Sequence, residues 1–460
     1  MKQVLVLGAG LSSSYLIHHL LELATDRNWF VTVADLDLGA AEAAVGQHPR
    51  GSAIQFDVND ATMRAAVIEK SNVVINMLLP AHQHLVAWDC VAHGRHMLSV
   101  SYRDADLRAL DQDAHRKGVL LLSELGLDPG IDHMSAMSMI ERVRREGGNI
   151  VGFRSYGSGI PAPDQAMGPL RYAITWNPRN VAMAGEAGAQ YMRGGKIKLV
   201  AFHNVFDHTW PVEVPGVGTL EAYANRDSLS YMGSFGLDGV ETMIRGTLRY
   251  PGWSETWAQI VRLGLPNETL RIGDLGRRTY REVVEMFLPL STDNPHIEQR
   301  LARFLRISPT GQIMENLRWL GLLSDEPIGC EGETTAEMLT HVLKQKLPLR
   351  DGARDMVILQ HEFEVARNDG TGELALSTMV VRGDPHPQGF TAMAKTVGLP
   401  TAIAVKLLLD GEISLTGCRI PTHPSIYEAI LREIAREGLV FKEASRPLSD
   451  ARRTTNQERE

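Results

Sequence analysis

The stretch QVLVLGAGLSSS, residues 3–14, decides the fold class, because a short apolar run leads directly into a glycine-containing turn. The segment SYLIHHLLELA follows from Ser14 with the apolar spacing of an amphipathic helix. In such a strand–turn–helix unit, one glycine permits a tight turn and the next lets the backbone approach a pyrophosphate. Gly8 and Gly10 stand in these positions, and Ser13 takes the third, which requires a small residue. The stretch predicts a dinucleotide-binding turn that also includes Leu11 and Ser12.

Five further apolar runs follow this turn, each separated from the next by a helix-like segment. They read FVTVAD (30–35), AIQFDV (53–58), VVINML (73–78), HMLSVS (96–101) and VLLLSEL (119–125). Continuous apolar strands that alternate with helices are typical of a parallel sheet covered on both faces. We therefore predict a Rossmann-type, doubly wound α/β domain, whose ligands bind outside the carboxyl ends of the strands.

The cofactor prediction depends on Asp35, which ends the second run at the distance where a carboxylate accepts hydrogen bonds from an adenosine ribose. A carboxylate here would repel a 2′-phosphate, and Leu36 and Asp37 follow instead of an arginine. These residues favour NAD over NADP. Asp57, which ends the third run, has two open interpretations, namely a contact with the adenine or a residue of a turn.

The composition limits the class of protein. The chain has 460 residues, which suggests two or three domains, and a formal net charge of −8, which argues against nucleic acid as a partner. Its three cysteines are far apart, so we expect no disulfide framework and a cytoplasmic location. We interpret the apolar start as a strand rather than a signal peptide and predict no membrane segment and no metal site.

The secondary-structure pattern changes several times in the remaining chain. Residues 134–146 have helical spacing, IVGFRSYGSGIPAP (150–163, with SYGSGIPAP at 155–163) starts as a strand and breaks into a loop, and helical patterns dominate residues 254–347. Asn368, Asp369 and Gly370 mark a hairpin, and the apolar segment 391–411 reads as a buried helix. We predict a Rossmann domain (1–130 and about 390–445), an inserted substrate and dimerisation domain (131–253 and about 350–389), a helical subdomain (about 254–349) and a polar tail (446–460).

Several motifs occur in order along nearly the whole chain. They are ELGLDPGIDHM (124–134), SYGSGIPAP, PLRY (169–172), NRDS (225–228), IRGTLRY (244–250), WLGL (319–322), RDMVILQHEF (354–363) and TVGLP with LLLDG (396–411). In these motifs the chain resembles the glutamate-forming saccharopine dehydrogenases. It departs from that family where Gly157 and Ser158 replace a cysteine and a glycine, and where AITW (173–176) replaces an aromatic-rich segment. These departures leave the identity of the amino-acid substrate open.

The resemblance implies oxidation of saccharopine, a secondary amine, with a nicotinamide nucleotide to glutamate and 2-aminoadipate 6-semialdehyde by a homodimer. The substrate residues that it implies are Ser101, Tyr102, Asp128, Arg226, Thr247, Leu248 and Arg249. The cofactor residues that it implies are Gly10, Leu11, Ser12, Ser13, Asp35, Asp57, Met77, Leu78, Glu124, Leu125, Gly126, Leu127, Gly130, Ile131 and Trp176.

The chemical roles are divided as follows. Saccharopine has three carboxylates, for which arginines are suitable partners. Its amine must lose a proton, and Asp128 and Tyr102 are both candidates for the acid–base group. We interpret Asp132 as a helix cap or first-turn acid and His133 as a helix-start residue. Two alternatives remain: a relative acting on another carboxylated amine, such as carboxynorspermidine or an opine, and a non-catalytic NAD-binding regulator.

Overall fold

The computed structural model describes residues 1–166, 168–290 and 296–448. These residues form two compact units, one from residues 1–150 together with the chain after residue 364, and one from residues 151–364. The second unit is thus an insertion in the sequence of the first.

The N-terminal segment of the first unit alternates strands and helices. Its elements are β1 (Lys2–Leu7), α1 (Ser14–Arg27), β2 (Trp29–Asp35), α2 (Leu38–Val45), β3 (Gly51–Gln55), α3 (Ala61–Glu69), β4 (Val73–Asn76), α4 (Gln83–His93), β5 (His96–Ser99), α5 (Ala105–Ala109), α6 (Asp111–Arg116), β6 (Leu120–Leu122) and α7 (Ile131–Arg145).

The second unit contains strands followed by a run of helices, and its first and last strands cross the unit boundaries. Its elements are β7 (Asn149–Pro161), α8 (Pro178–Ala182), β8 (Ala189–Arg193), β9 (Lys196–Val200), β10 (Thr209–Val214), β11 (Gly218–Ala224), β12 (Arg226–Asp227), α9 (Met232–Phe235), β13 (Thr242–Arg249), α10 (Trp253–Leu263), α11 (Tyr280–Met286), α12 (Ile297–Leu305), α13 (Gln312–Trp319), α14 (Thr335–Lys346) and β14 (Asp355–Ala366).

The chain then completes the first unit. The elements of this segment are β15 (Gly372–Arg382), α15 (Ala392–Leu409), β16 (Gly417–Arg419), α16 (Pro424–Arg436) and β17 (Lys442–Pro447).

A seven-stranded parallel sheet forms the core of the first unit, in the order β16-β6-β5-β4-β1-β2-β3. All six predicted strands are present, so the Rossmann-type fold class is confirmed. The order reverses between β1 and β4, and the crevice at such a point is where this fold binds nucleotides. The seventh strand, β16, has only three residues, which is too short for a periodic pattern in the sequence.

Helix α15 is the predicted buried helix of the first unit. By length and composition it could cross a membrane, but 78% of it is buried inside the protein, as in a core helix. Gly398 allows it to pack closely on α1, because a Cβ at this position would lie 2.6 Å from the backbone nitrogen of Leu16. Thr401 Oγ1 donates to the carbonyl oxygen of Leu125 at 2.8 Å, which attaches α15 to the loop after β6.

The second unit has a mixed sheet in the order β10-β11-β13-β7-β14, and β8, β9 and β12 lie beside it. Its strands and its helices α10–α14 share one hydrophobic core. The predicted break from strand to loop within residues 150–163 does not occur before Pro161, because β7 continues to that residue. Glycine has little preference for the strand conformation, and parallel pairing with β13 holds this part of β7 in it. Gly157 lies opposite Thr247.

Two predicted boundaries differ from those in the structure. The predicted polar tail includes Arg446 and Pro447, which in the structure belong to β17. This strand pairs antiparallel with β15. It is exposed and has no apolar pattern, because backbone hydrogen bonds hold it in place. The rest of the predicted tail, from residue 449, lies outside the described residues. The unit boundaries fall after residues 150 and 364, whereas the predicted three-part division, which stays a prediction, begins its second domain at residue 131.

Candidate functional site

The turn after β1 has the geometry expected of a pyrophosphate site. Gly8 has φ +106°, and a Cβ there would lie 3.2 Å from the backbone of Met77, so only glycine fits. A Cβ at Gly10 would meet no atom within 4 Å. Ser13 is buried and its Oγ donates to Gly10 O at 2.8 Å, so the third position has space only for a small residue. A 3-10 turn, Leu11–Ser13, leads into α1, and no side chain among the described residues caps its N-terminus, so the first amides of this helical segment remain available to an anion.

An orphaned polar atom lies beside this turn. Asn76 ends β4 and is fully buried, and its Nδ2 has no hydrogen-bond partner within the described ranges. Its Oδ1 accepts from the amide of Leu78 at 3.3 Å. A buried amide without a partner is costly, and a phosphate or ribose oxygen would satisfy it. The residues present therefore fit a dinucleotide.

Asp35 and Asp57, which belong to the predicted cofactor site, both accept backbone hydrogen bonds. Asp35 Oδ2 accepts from the amide of Ala9 at 2.7 Å, and its Oδ1 accepts from the amide of Asp37 at 2.9 Å. Asp57 is exposed and its Oδ1 accepts from the amide of Asn59 at 2.9 Å, which is the geometry of a turn residue. The carboxylate of Asp35 thus holds the glycine-rich turn in place.

The loop after β6 presents one side chain to solvent. From Val119 to Met137 every residue is buried except Asp128, which is partly exposed. Ser101 and Tyr102, which follow β5, are also partly exposed. The structure thus leaves accessible the three unit-1 residues that the family resemblance places at the substrate, whereas Leu125, Leu127 and Ile131 face the core.

Behind this loop lies a buried trio of charged residues. His133 Nε2 lies 2.7 Å from Glu124 Oε2, and His133 Nδ1 lies 3.1 Å from Asp132 Oδ2. Burial alone would lower the pKa of His133, but Asp132 and then Glu124 outweigh it and raise the pKa to about 9. The imidazole is therefore a cation at neutral pH. Asp132 is the first-turn acid of α7, while Gly130 occupies the cap position.

This trio makes stability depend on pH. His133 keeps its proton in the folded state up to pH about 9, whereas in the unfolded chain it loses the proton near 6.5. The stabilisation is complete below pH 6.5 and is lost as the pH rises to about 9, a difference of about 3 kcal/mol. We expect the urea midpoint of the His133→Gln variant to fall less between pH 6.5 and 9 than that of the unmodified protein.

A suitable control is His84→Gln, because His84 is an exposed histidine on α4. Its urea midpoints should follow those of the unmodified protein at every pH. Equal pH dependence in the His133→Gln variant and the unmodified protein would show that His133 is neutral in the folded state.

The second unit contains a buried arginine surrounded by aromatic rings. Arg249 ends β13 and is 4% exposed, and its guanidinium carbon lies 4.9 Å from the ring of Tyr172, 5.1 Å from that of Trp253 and 5.9 Å from that of Tyr223. We call these four residues the arginine cage. Burial raises the pKa of Tyr223 although Arg249 opposes the shift, so its ring stays neutral.

The cage holds an incompletely satisfied cation. Arg249 Nη1 donates to the carbonyl of Leu248, but its Nε has no partner, and no carboxylate lies within 4 Å of it in the part of the chain that the structure describes. A buried guanidinium without a counterion is costly, and a ligand carboxylate is its natural partner. Arg249 therefore differs from an exposed arginine that forms a surface salt bridge.

The other residues predicted in the second unit lie at various places. Thr247 is partly buried on β13, and Trp176 Nε1 donates to Tyr172 Oη at 3.2 Å, at the edge of the cage. Arg226 is exposed with φ +51°. Sequence reasoning missed Arg171, whose guanidinium carbon lies 4.1 Å from the Tyr250 ring and whose φ is +46°; only its place in the PLRY motif could have indicated it.

Comparison with known proteins identifies the family. The domain model described as "Saccharopine dehydrogenase NADP binding domain" matches residues 4–122, and "Saccharopine dehydrogenase C-terminal domain" matches residues 126–439. The chain belongs to the saccharopine dehydrogenase family. The predicted oxidoreductase of this family is thereby confirmed.

Similar proteins of the saccharopine dehydrogenase family occur in fungi and animals. The chain is 30% identical over 452 residues to the Schizosaccharomyces pombe "Saccharopine dehydrogenase [NADP(+), L-glutamate-forming]", covering 96% of this chain and 99% of that protein. It is 34% identical to the Bos taurus "Alpha-aminoadipic semialdehyde synthase, mitochondrial", of which it spans 47%. It therefore spans about half the length of that animal relative. The apo structure of the Saccharomyces cerevisiae enzyme matches 97% of this chain and all of that one with a TM-score of 0.84 and 31% identity.

These comparisons correct the predicted cofactor. Three fungal members of the saccharopine dehydrogenase family are named as NADP(+) enzymes, and the matching domain model is an NADP-binding domain. The predicted preference for NAD over NADP is therefore wrong. The physical reason lies in Asp35, whose Oδ2 accepts from the amide of Ala9 in the turn and whose Oδ1 accepts from the amide of Asp37, so its presence after β2 does not identify a ribose contact.

Proposed function

We propose that this member of the saccharopine dehydrogenase family oxidises the secondary amine of saccharopine with NADP, forming L-glutamate and 2-aminoadipate 6-semialdehyde. The observation that carries the proposal is Arg249, a buried arginine with an unpartnered Nε and no carboxylate partner in the described chain. The names of the fungal relatives, which cover nearly the same length, support the substrate and the cofactor.

The arginine cage explains how an amino acid with several carboxylates would bind. The guanidinium of Arg249 would donate hydrogen bonds to one carboxylate, and the rings of Tyr172, Tyr223 and Trp253 would exclude water from that ion pair. Arg226, Thr247 and Leu248 are proposed to contact the rest of the substrate. Ser158 Oγ donates to Leu248 O at 2.7 Å, so this departure from the family pattern supports the backbone of β13.

The first unit would hold the dinucleotide at the turn of residues 8–13 and along the loop of residues 124–131. When bound, the cofactor supplies hydride acceptance at its nicotinamide ring. The chain must remove a proton from the amine before the C–H bond breaks and later activate water against the imine carbon. Asp128 and Tyr102 remain the two candidates for these proton transfers, because both are partly exposed at the rim of the sheet.

The test is an assay of absorbance at 340 nm with saccharopine and either NADP or NAD. We expect an absorbance increase with saccharopine and NADP, with glutamate and the semialdehyde formed in equal amounts. A carboxylated amine without the aminoadipate moiety, such as an opine, serves as the comparison substrate.

Three outcomes would contradict the proposal. Turnover of the opine but not of saccharopine would assign the chain to another carboxylated amine. Binding of NADPH without turnover of either amine would indicate a regulator. Turnover of saccharopine with NAD alone would contradict the proposed cofactor.

The homodimer and the cytoplasmic location remain proposals of the same kind. Size-exclusion chromatography with light scattering checks the first, with a mass of twice 50.8 kDa expected. The word "mitochondrial" in the names of the animal relatives applies to those proteins.

A further inference from the structure

We infer that Glu124 is a positioning residue whose carboxylate, held by His133, aligns the segment of residues 101–103 with the loop of residues 124–130. The inference rests on the proposed function, because it assumes that the reaction uses Ser101, Tyr102 and Asp128 in these two segments.

Glu124 bonds twice to the segment after β5. Its amide donates to Ser101 O at 3.0 Å, and its Oε1 accepts from the amide of Arg103 at 2.9 Å. These two bonds bracket Tyr102 from both sides. The backbone of Glu124 has φ +60°, a left-handed conformation that is strained for a residue with a side chain. The surrounding contacts therefore enforce the position of this residue.

The other carboxylate oxygen of Glu124 leads to the loop. Oε2 lies 2.7 Å from Nε2 of His133, whose Nδ1 lies 3.1 Å from Asp132 Oδ2. Asp132 Oδ1 in turn accepts from the amide of Gly130 at 2.6 Å. The chain of polar contacts thus starts at Arg103 and ends at Gly130, two residues after Asp128.

The burial of the trio favours a role in alignment over proton transfer with the substrate. Glu124, Asp132 and His133 are 4%, 2% and 0% exposed, so their side chains lie in the interior of the first unit. A buried ionic cluster is weak evidence for stability, since apolar residues of equal volume often stabilise as well. This network instead lies between two segments that have accessible functional side chains. It restricts the positions of those side chains relative to each other, and catalysis requires such fixed positions.

A second buried pair acts on the same segment. Ser99 Oγ donates to Gln83 Oε1, and Gln83 Nε2 donates to Tyr102 O at 2.9 Å. Ser99 and Gln83 are both fully buried. The backbone around Tyr102 is thus fixed from two directions, which agrees with a segment that must hold one conformation.

The experiment uses the full chain with Glu124→Gln, His133→Gln and the double variant. Each single variant should lower kcat roughly 10- to 100-fold and change the KM of saccharopine little, because a misplaced reacting group costs rate more than binding. The double variant should cost no more than the worse single one, because both interrupt the same connection. Hydrogen exchange should become roughly tenfold faster in peptides that cover residues 99–104 and 124–131.

The matched control is Asp89→Asn, which breaks another mostly buried ion pair of the same unit. Asp89 Oδ2 lies 2.7 Å from Arg64 Nε, and the two side chains are 13% and 9% exposed. This variant should lower the Tm, while kcat measured well below the Tm and exchange in the two peptides should stay at the level of the unmodified protein.

Hydrogen exchange and turnover together distinguish a failure of the inference from a failure of the proposed function. Unchanged exchange in Glu124→Gln overturns the inference, and faster exchange with an unchanged kcat shows that the alignment does not matter for rate. Additive losses in the double variant also overturn it. If the unmodified protein does not oxidise saccharopine, the proposed function fails. The inference is then tested by hydrogen exchange without ligand and by kcat on the amine that the protein does oxidise.

Discussion

Replacement of Arg249 by methionine is expected to lower kcat/KM for saccharopine roughly 30- to 4000-fold, equivalent to about 2 to 5 kcal/mol. Methionine fills much of the arginine volume inside the cage but leaves the substrate carboxylate buried without a partner. Most of the loss should appear as a higher KM, because the ion pair forms in the ground state as well as in the transition state. Steady-state kinetics and a thermal melt of the same sample measure the two effects separately.

Two further variants make this result specific. Arg249→Lys keeps the charge but loses the planar fork and the stacking on the rings, so it should recover only part of the lost affinity. Arg318→Met removes an arginine that is 38% exposed and paired with Glu298, and its kinetics should match those of the unmodified protein. If Arg249→Met has unchanged kinetics and a lower Tm, the arginine serves only to stabilise the aromatic cluster.

Replacement of Gly130 by alanine is expected to destabilise the first unit by about 3 kcal/mol or more and to reduce kcat by at least about 100-fold. The new Cβ would lie 2.5 Å from the backbone carbon and nitrogen of Gly126 and closer still to its oxygen. Gly130 also has φ +150°, which residues with a side chain rarely adopt. The loop that carries Asp128 must therefore open. A urea titration and saturation kinetics measure the two losses.

The control for this steric effect is Gly147→Ala at the end of α7. Gly147 has φ +76°, but a Cβ there would meet no atom of the described residues within 4 Å. It should cost only about 1 to 2 kcal/mol through the backbone conformation and leave kcat unchanged. Equal losses in the two variants would mean that the close approach of Gly126 and Gly130 does not restrict the loop.

Local patterns in the sequence were sufficient to predict much of the secondary structure of the first unit. The apolar runs predict the strands because a strand buried on both faces requires continuous apolar residues, and the glycine turn at residues 8–10 depends on its own few residues. The role of Ser13 as the small residue of the turn and the burial of helix α15 were also predictable from their own few residues. The short β16 carries no such pattern, because Gly417, Cys418 and Arg419 gain their order from pairing with β6.

The features of the candidate site were less predictable, because they depend on contacts between residues distant in the chain. Asp35 has the sequence position of a ribose ligand, but only the structure shows that its carboxylate holds the amides of Ala9 and Asp37. The rings around Arg249 come from residues 172, 223 and 253, and no spacing rule joins them. The link from Glu124 to Arg103 depends on the adjacency of β5 and β6.

The insertion of residues 151–364 also has a consequence for synthesis of the protein. When the ribosome has completed residue 150, the nascent chain has six strands of the parallel sheet but lacks β16 and the core helix α15. The 214 intervening residues (364 − 150) take about 10 to 40 s at a translation rate of roughly 5 to 20 residues per second. During that interval the face of α1 that α15 later covers, including Leu16, stays exposed on the unfinished domain. The inserted unit, which is continuous in sequence, can complete its own core first.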